Sequence, residues 1–159
     1  MALIDTCGRP RGDGRTERDV AMTLEAFHAA REKGVVARPA AVQLPPDTVA
    51  EAIAPWLAAF DLICIEFPKF RDGRGFTLAR TLRARYRFDG DIRAVGHLLP
   101  DQLEALRHCG FSSVRTADEH PPEQWAPASG EEAPILREGE STARGALPLL
   151  NRLVSRRFS

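Results

Sequence analysis

The sequence predicts a small α/β domain with a mostly parallel sheet and helices on both faces, a Rossmann-like architecture. Apolar runs of strand length alternate along the chain with stretches whose apolar residues recur at helical spacing. The run at residues 61–67, DLICIEF, is apolar on both faces, which is typical of a central parallel strand. The connections between the predicted elements are short enough for right-handed crossovers between parallel strands.

The composition is that of an ordinary globular domain. The chain has 159 residues and no net charge at pH 7, which argues against nucleic acid or an acidic membrane surface as a partner. No apolar run is long enough to span a membrane, and the N-terminus lacks a secretion signal, so we expect a cytoplasmic protein. Cys7, Cys64 and Cys109 are far apart and odd in number, so neither a disulfide framework nor a metal site is predicted.

Three regions are predicted along the chain. Residues 1–34 form an N-terminal segment with a helix, residues 35–117 form the α/β core, and residues 118–159 form an irregular Pro- and Glu-rich stretch with a basic tail. The first helix is expected to have Thr16 as its N-cap and to end at Gly34. The tail is interpreted either as a short docking helix or as a frayed end.

Within the core, strands and helices are predicted to alternate. The first core helix is expected to begin at a capping box of Thr48 and Glu51 and to break at Pro55. Two further helices should begin near Phe76 and Pro100. The predicted core strands cover residues 38–44, 61–67, 91–96 and 112–116.

The main candidate site is the loop that follows the central strand, with the sequence KFRDGRGF. Ligands of open α/β sheets gather at the carboxyl ends of the strands, and the free N–H groups of a helix N-terminus favour negative charge there. Basic side chains would add charged hydrogen bonds to a small oxyanion. The alternative is that Asp72 and Arg74 only brace the turn. The predicted anion-binding residues are Lys69, Arg71, Asp72, Gly73, Arg74, Gly75 and His97.

The sequence supports a cofactor site or a catalytic site less well than it supports an oxyanion site. The glycine spacing does not fit a dinucleotide site, and Gly96 and His97 stand where a ribose-binding carboxylate would follow the next strand. No signature for flavin, NAD, heme or an iron–sulfur cluster is present, so the cofactors and catalytic residues are unknown and the question of an enzyme stays open. Glu66 and Arg93 lie within strands, and we interpret them as a structural pair between neighbouring strands.

The helix after the candidate loop carries Arg80, Arg83 and Arg87 on one predicted face. Such a face could meet an acidic partner, but a solvated face is the default interpretation. Cys64 and Cys109 are interpreted as packing residues, since the dipole at a helix C-terminus disfavours a thiolate at Cys109.

Residues 67–111 carry six short motifs: FPKF, DGRG, LR, IRAVG, DQ and CGF, at residues 67–70, 72–75, 82–83, 92–96, 101–102 and 109–111. Through these motifs the segment resembles the bacterial domain of unknown function 934 family. Members are often labelled as oxidoreductases involved in sulfite reduction, with genes beside a sulfite/nitrite reductase gene. The resemblance implies an accessory protein of assimilatory sulfite reduction, with that reductase as its partner. The alternatives are a redox enzyme of sulfur metabolism and an interaction module that docks on the reductase.

Overall fold

The computed structural model describes residues 2–11, 21–35 and 40–125, which contain six strands and four α-helices. The strands are β1 (Ala2–Asp5), β2 (Met22–Thr23), β3 (Ala40–Leu44), β4 (Phe60–Phe67), β5 (Asp91–Gly96) and β6 (Ser113–Thr116). The α-helices are α1 (Leu24–Glu32), α2 (Ala50–Ile53), α3 (Arg74–Ala84) and α4 (Leu103–His108). Short 3-10 helices cover Ala54–Ala59, Pro100–Gln102 and Pro122–Trp125. Among these described helices, none is long and apolar enough to cross a membrane.

The six strands form one sheet in the order β1-β6-β5-β4-β3-β2. Strands β2 to β6 are parallel to their neighbours, and β1 joins the edge antiparallel to β6. The structure therefore confirms a mixed α/β fold with a mostly parallel sheet. The expectation that the strands at residues 61–67 and 91–96 are parallel neighbours is also confirmed, with Phe67 opposite Gly96.

The described helices lie on one face of the sheet, whereas the sequence predicted helices on both. Each of the four α-helices contributes to a single core cluster, for example Phe27 from α1, Leu82 from α3 and Leu106 from α4. The smaller cluster on the second face draws its residues from strands: Ala41, Leu62, Cys64 and Val95. The strand order explains this arrangement. Because β2 to β6 follow one another in chain order, right-handed crossovers place every connecting helix on the same side.

The helix α1 begins later than predicted. Met22 pairs with Val42 in the sheet, and the Thr23 hydroxyl accepts a hydrogen bond from the Ala26 N–H at 3.2 Å. Thr23 is therefore the N-cap of the described helix, and the predicted cap, Thr16, lies outside the described residues. The predicted end is confirmed, because Gly34 follows the helix with φ +70°.

The capping box predicted for α2 is wrong, although the break at Pro55 is confirmed. The Thr48 hydroxyl donates to the carbonyl oxygen of Pro45 at 2.7 Å, so it closes the turn after β3 and does not cap the helix. The residue before α2 is Val49, which makes no side-chain cap bond. The α-helix ends at Ile53, and Pro55 lies in the first turn of the 3-10 helix that follows.

The end of the described chain packs on the core. Gly110 follows α4 with φ +96°, and the N–H of the buried Phe111 donates to the Leu106 carbonyl at 3.1 Å. After β6, Trp125 is fully buried and its indole N–H donates to the His120 carbonyl at 3.0 Å. This buried turn falls in the stretch predicted to be irregular. The predicted tail helix lies outside the described residues.

Candidate functional site

The candidate loop, residues 68–73, connects the carboxyl end of β4 to the N-terminus of α3. The neighbouring strand β5 ends at the same edge, where the His97 N–H donates to the Phe67 carbonyl at 2.8 Å. The His97 side chain is exposed. The structure therefore brings His97 to the same edge as the loop, as parallel neighbouring strands require.

Asp72 and Arg74 form a close pair at the start of α3. One Asp72 carboxylate oxygen accepts from the Arg74 backbone N–H at 3.1 Å and from its Nε at 3.0 Å. The other accepts from Nη2 at 2.7 Å. The hydrogen bonds from Arg74 hold the pKa of the Asp72 carboxyl below its usual range, and the same pair raises the pKa of Arg74. Asp72, which precedes the N-cap Gly73, thus accepts the first backbone N–H of α3 and holds the arginine beside it.

The Asp72 carboxylate occupies donors that the predicted oxyanion site would use. The Asp72 carboxylate already places a negative charge at the helix N-terminus and accepts from two donors on the arginine. A bound oxyanion would have to compete with that carboxylate for Arg74. The Arg74 side chain is nevertheless 62% exposed, so its guanidinium is open to solvent. Oxyanion binding stays a prediction, and the bracing role of the pair is directly visible in the geometry.

The two loop glycines have different structural roles. A Cβ on Gly75 would lie 2.7 Å from the nearest ring atom of Phe67, so a side chain there would clash with β4. Gly73 has helical dihedral angles, and a Cβ there would meet no atom within 4 Å. The absence of a side chain at Gly75 therefore allows α3 to pack closely on β4. That role requires no ligand.

Gly96 is required where β5 ends. Its φ is +109°, and a Cβ on it would lie 2.5 Å from the carbonyl oxygen of Phe67. The left-handed backbone and the close approach both favour glycine at this position. Glycine at the end of the IRAVG motif therefore allows the backbones of β4 and β5 to approach closely where both strands end.

Gln102 links the candidate loop to the loop after β5. Its side-chain amide donates to the Phe70 carbonyl at 2.7 Å, and its side-chain oxygen accepts from the Leu99 N–H at 3.0 Å. The two bonds hold residues 68–73 against residues 97–102. Reasoning from the sequence missed this contact, and the DQ motif of the family resemblance was the one signal that pointed to the residue.

The loop exposes an aromatic ring between basic side chains. Phe70 is 44% exposed, and the Arg71 guanidinium carbon lies 5.3 Å from the centre of its ring. Lys69 is exposed on the other side of Phe70 in the chain. Phe70 is one of three large apolar side chains that are exposed in the described part of the chain, and it is the one with basic neighbours on both sides. We call Lys69, Phe70 and Arg71 the loop patch.

Arg83 is half-buried and bonded to neighbouring turns, although the sequence predicted it on a solvated or partner-binding face. Its guanidinium donates to the carbonyl oxygens of Gly110, Phe88 and Gly90 at 2.6–2.8 Å, and to the Ser112 hydroxyl at 2.9 Å. Burial lowers the pKa of Arg83. These bonds join α3 to the turns before β5 and β6, so this arginine is not available to a partner.

The strand charges have partners in the sheet. Arg93 is 5% exposed, and its Nη2 lies 3.4 Å from the Asp91 carboxylate, while its Nε donates to the Ser113 hydroxyl at 3.2 Å. The register places Glu66 opposite Val95. Arg93 thus has partners on its own strand and on β6, and the register does not bring it opposite Glu66.

The cysteines are in packed surroundings. Cys64 is 1% exposed within β4. Cys109 is half-buried at the end of α4, where burial raises the pKa of its thiol and the nearby charge of Arg80 opposes the rise. Among the residues that the structure describes, no group of three or more His, Cys, Asp or Glu side chains could hold a metal ion.

The fold and the site define the class of this protein: a mostly parallel α/β domain with an exposed loop, braced by hydrogen bonds, at the carboxyl edge of its sheet. A comparison with protein families matches residues 41–133 to the family described as "Bacterial protein of unknown function (DUF934)". The match covers more than half of the chain, so the chain belongs to this family. A comparison with curated proteins finds no match.

Proposed function

We propose that this protein is a cytoplasmic accessory protein of assimilatory sulfite reduction that docks through its loop patch on an acidic surface of a sulfite/nitrite reductase. The single observation that carries the docking proposal is the exposed Phe70 ring between Lys69 and Arg71. The family resemblance supports the choice of partner.

The chemistry of the loop patch suits a protein interface. Aromatic and arginine side chains are enriched among the residues that contribute most to binding energy. The two basic side chains would be complementary to an acidic partner surface and would speed association at low ionic strength. The proposed contact therefore combines a buried ring at its centre with charged groups around it.

The loop is also held in place before binding. Gln102 bonds to the Phe70 carbonyl, Asp72 accepts the Arg74 backbone N–H, and Gly75 packs against Phe67. A segment that is already ordered loses less conformational freedom when it binds. The bracing of the loop thus favours docking, whereas the Asp72–Arg74 pair competes with a small anion at the same position.

Oxyanion binding is the second candidate function. It is favoured by the exposed guanidinium of Arg74, which lies beside the N-terminus of α3. The redox-enzyme alternative gains no support from Cys109, because burial raises the pKa of that thiol and lowers its thiolate fraction.

The test is a binding titration against the purified reductase from the same organism, at low and at high salt. Phe70→Ser should weaken binding by roughly tenfold or more, as expected for a central interface residue. Arg71→Glu should weaken binding most strongly at low salt, where charge attraction is least screened. The matched control is Val35→Ser, which changes another exposed apolar side chain, 72% exposed and outside the loop patch.

Two results would overturn the docking proposal. One is the absence of binding between the two wild-type proteins at low salt. The other is binding that Phe70→Ser and Val35→Ser change equally. In parallel, titration calorimetry with sulfite and sulfate tests the second candidate, which requires Arg74→Ala to abolish any anion binding that the wild type shows.

A further inference from the structure

A groove lies at the opposite edge of the sheet from the loop patch. It runs between the last turns of α1 and the 3-10 helix Ala54–Ala59, just before β4 begins, and has a volume of about 370 Å³. Grooves of this size accommodate small molecules. The residues that form its walls include Phe27, Arg31, Pro55, Trp56, Ala58 and Ala59.

The aromatic wall of the groove is fixed by neighbouring rings. Trp56 meets Phe27 edge to face at 6.3 Å between ring centres and meets His28 in the same way at 5.6 Å. Phe27 is 1% exposed and packs on Phe60 at 4.7 Å. The half-buried indole is therefore held in one orientation before any ligand arrives.

The polar groups of the groove are donors. The Arg31 guanidinium carbon lies 3.8 Å from the centre of the Trp56 ring, so the cation sits on the indole face. The half-buried indole of Trp56 carries a second donor, its ring N–H. Neither an aspartate nor a glutamate is among the described residues that line the groove. Its charge is thus complementary to an anion.

The last turn of α1 carries Arg31, and its carbonyl oxygens have hydrogen-bond partners within the chain. The carbonyl oxygens of Ala30 and Arg31 accept from the N–H groups of Val35 and Gly34, at 2.9 Å in each case. These two carbonyl oxygens are therefore paired within the turn that ends the helix. Arg31 itself lies in the last turn of the helix, where a cation is favourable.

We propose that this groove binds a small aromatic carboxylate. The planar ring would lie on the apolar wall of Pro55, Ala58 and Ala59 beside the indole, and the carboxylate would accept hydrogen bonds from Arg31. A charged pair from arginine to carboxylate gives orientation, and the apolar wall gives affinity. The site is independent of the proposed docking on a reductase.

The test uses 2-naphthoate as the probe, titrated into the full chain and followed by nuclear magnetic resonance and calorimetry. We expect saturable binding with shifts of the Trp56 indole signal. 2-Naphthalenemethanol, which has the same rings without the charge, should bind roughly tenfold more weakly or worse. Arg31→Gln should weaken the binding of 2-naphthoate by a similar factor, because it removes the charge that pairs with the carboxylate. The Arg31 side chain is exposed, so its replacement should not disturb the core.

Arg80→Gln is the matched control, since Arg80 is another exposed helix arginine, on α3 and away from the groove. It should leave binding unchanged. Three results would overturn the proposal: no saturation by about 10 mM probe, equal binding of the charged and neutral probes, or equal loss in Arg31→Gln and Arg80→Gln. The Arg31→Gln variant should bind the reductase as tightly as the wild type does. This measurement distinguishes failure of the groove proposal from failure of the docking proposal.

Discussion

The side-chain amide of Gln102 donates a hydrogen bond to the carbonyl oxygen of Phe70, at 2.7 Å across 32 positions of sequence. The same side chain accepts from the Leu99 N–H. One residue therefore sets the position of two loops at the carboxyl edge of the sheet, and the exposed ring of Phe70 takes its position from a residue outside its own loop.

Replacing Gln102 should loosen the candidate loop. Gln102→Leu removes both hydrogen bonds at similar volume, so we expect faster hydrogen–deuterium exchange in residues 69–73 and a loss of about 1–3 kcal/mol in the free energy of unfolding. Asp101→Asn, at the exposed neighbouring position, is the control and should leave both quantities close to wild type. Unchanged exchange in Gln102→Leu would contradict the proposed bracing.

The two glycines of the loop should respond oppositely to alanine. Gly75→Ala places a methyl group against the Phe67 ring, and overpacking of this kind costs about 1–3 kcal/mol of stability. Gly73→Ala meets open space at a helical backbone conformation, so it should be neutral or stabilising by up to about 1 kcal/mol. Urea unfolding of both variants checks the prediction. Equal destabilisation would show that the packing of α3 on β4 is not the reason for Gly75.

The Asp72–Arg74 pair should make stability depend on acid pH. Because the folded-state pKa of Asp72 is lowered, its contribution is present above the pKa of an unfolded aspartate, roughly pH 4, and is lost as the pH falls through the folded value. Asp72→Asn retains a capping oxygen without the charge. We therefore expect it to be less stable than wild type at pH 7 and to approach wild type near pH 2.

Urea unfolding at low salt and at several pH values measures this difference. Asp72→Ala is the companion variant, because it lacks the capping oxygen and should stay less stable than Asp72→Asn at every pH. A gap between wild type and Asp72→Asn that is the same at pH 7 and pH 2 would mean that the charge contributes nothing.

The thiol of Cys109 should react slowly in the folded protein. Burial raises its pKa, so a smaller fraction is thiolate at neutral pH than in an unfolded chain. We expect peptide-level mass spectrometry to show iodoacetamide labelling of Cys109 that accelerates in urea. Arg80→Gln should slow the native reaction further, because the charge of Arg80 lowers the pKa. Native labelling as fast as in urea would revive the redox-enzyme alternative.

The sequence predicted those helices and strands that are determined by residues close together in the chain. The run that became β4 is apolar at the consecutive residues 62–65, and the run that became β5 contains Ile92, Ala94 and Val95. Pro55 and Gly34 mark breaks that depend only on backbone geometry. The strand β1 was missed because four residues carry too little pattern, and its partner β6 is remote in sequence. The capping box predicted at Thr48 was wrong because the Thr48 hydroxyl donates to the Pro45 carbonyl, and the residue before the helix is Val49.

Only those contacts of the candidate site that are local in sequence were predicted. The brace between Asp72 and Arg74 spans two residues and was foreseen as the alternative to anion binding. The roles of Gln102 and Arg83 were not foreseen, because their acceptors at Phe70 and Gly110 come from other loops. Side chains that join separate loops leave no periodic signal in a sequence.

The pairing of β1 with β6 gives the sheet a particular order of assembly. The N-terminal strand is made first, but the N–H of Ala2 reaches a hydroxyl acceptor at Thr116, 114 residues later. During synthesis on the ribosome, β2 to β5 can each add to a neighbour that precedes or follows directly, while β1 has to wait for β6. The strand β1 can therefore pair in the sheet only after β6 has been made, and this pairing covers the edge of β6.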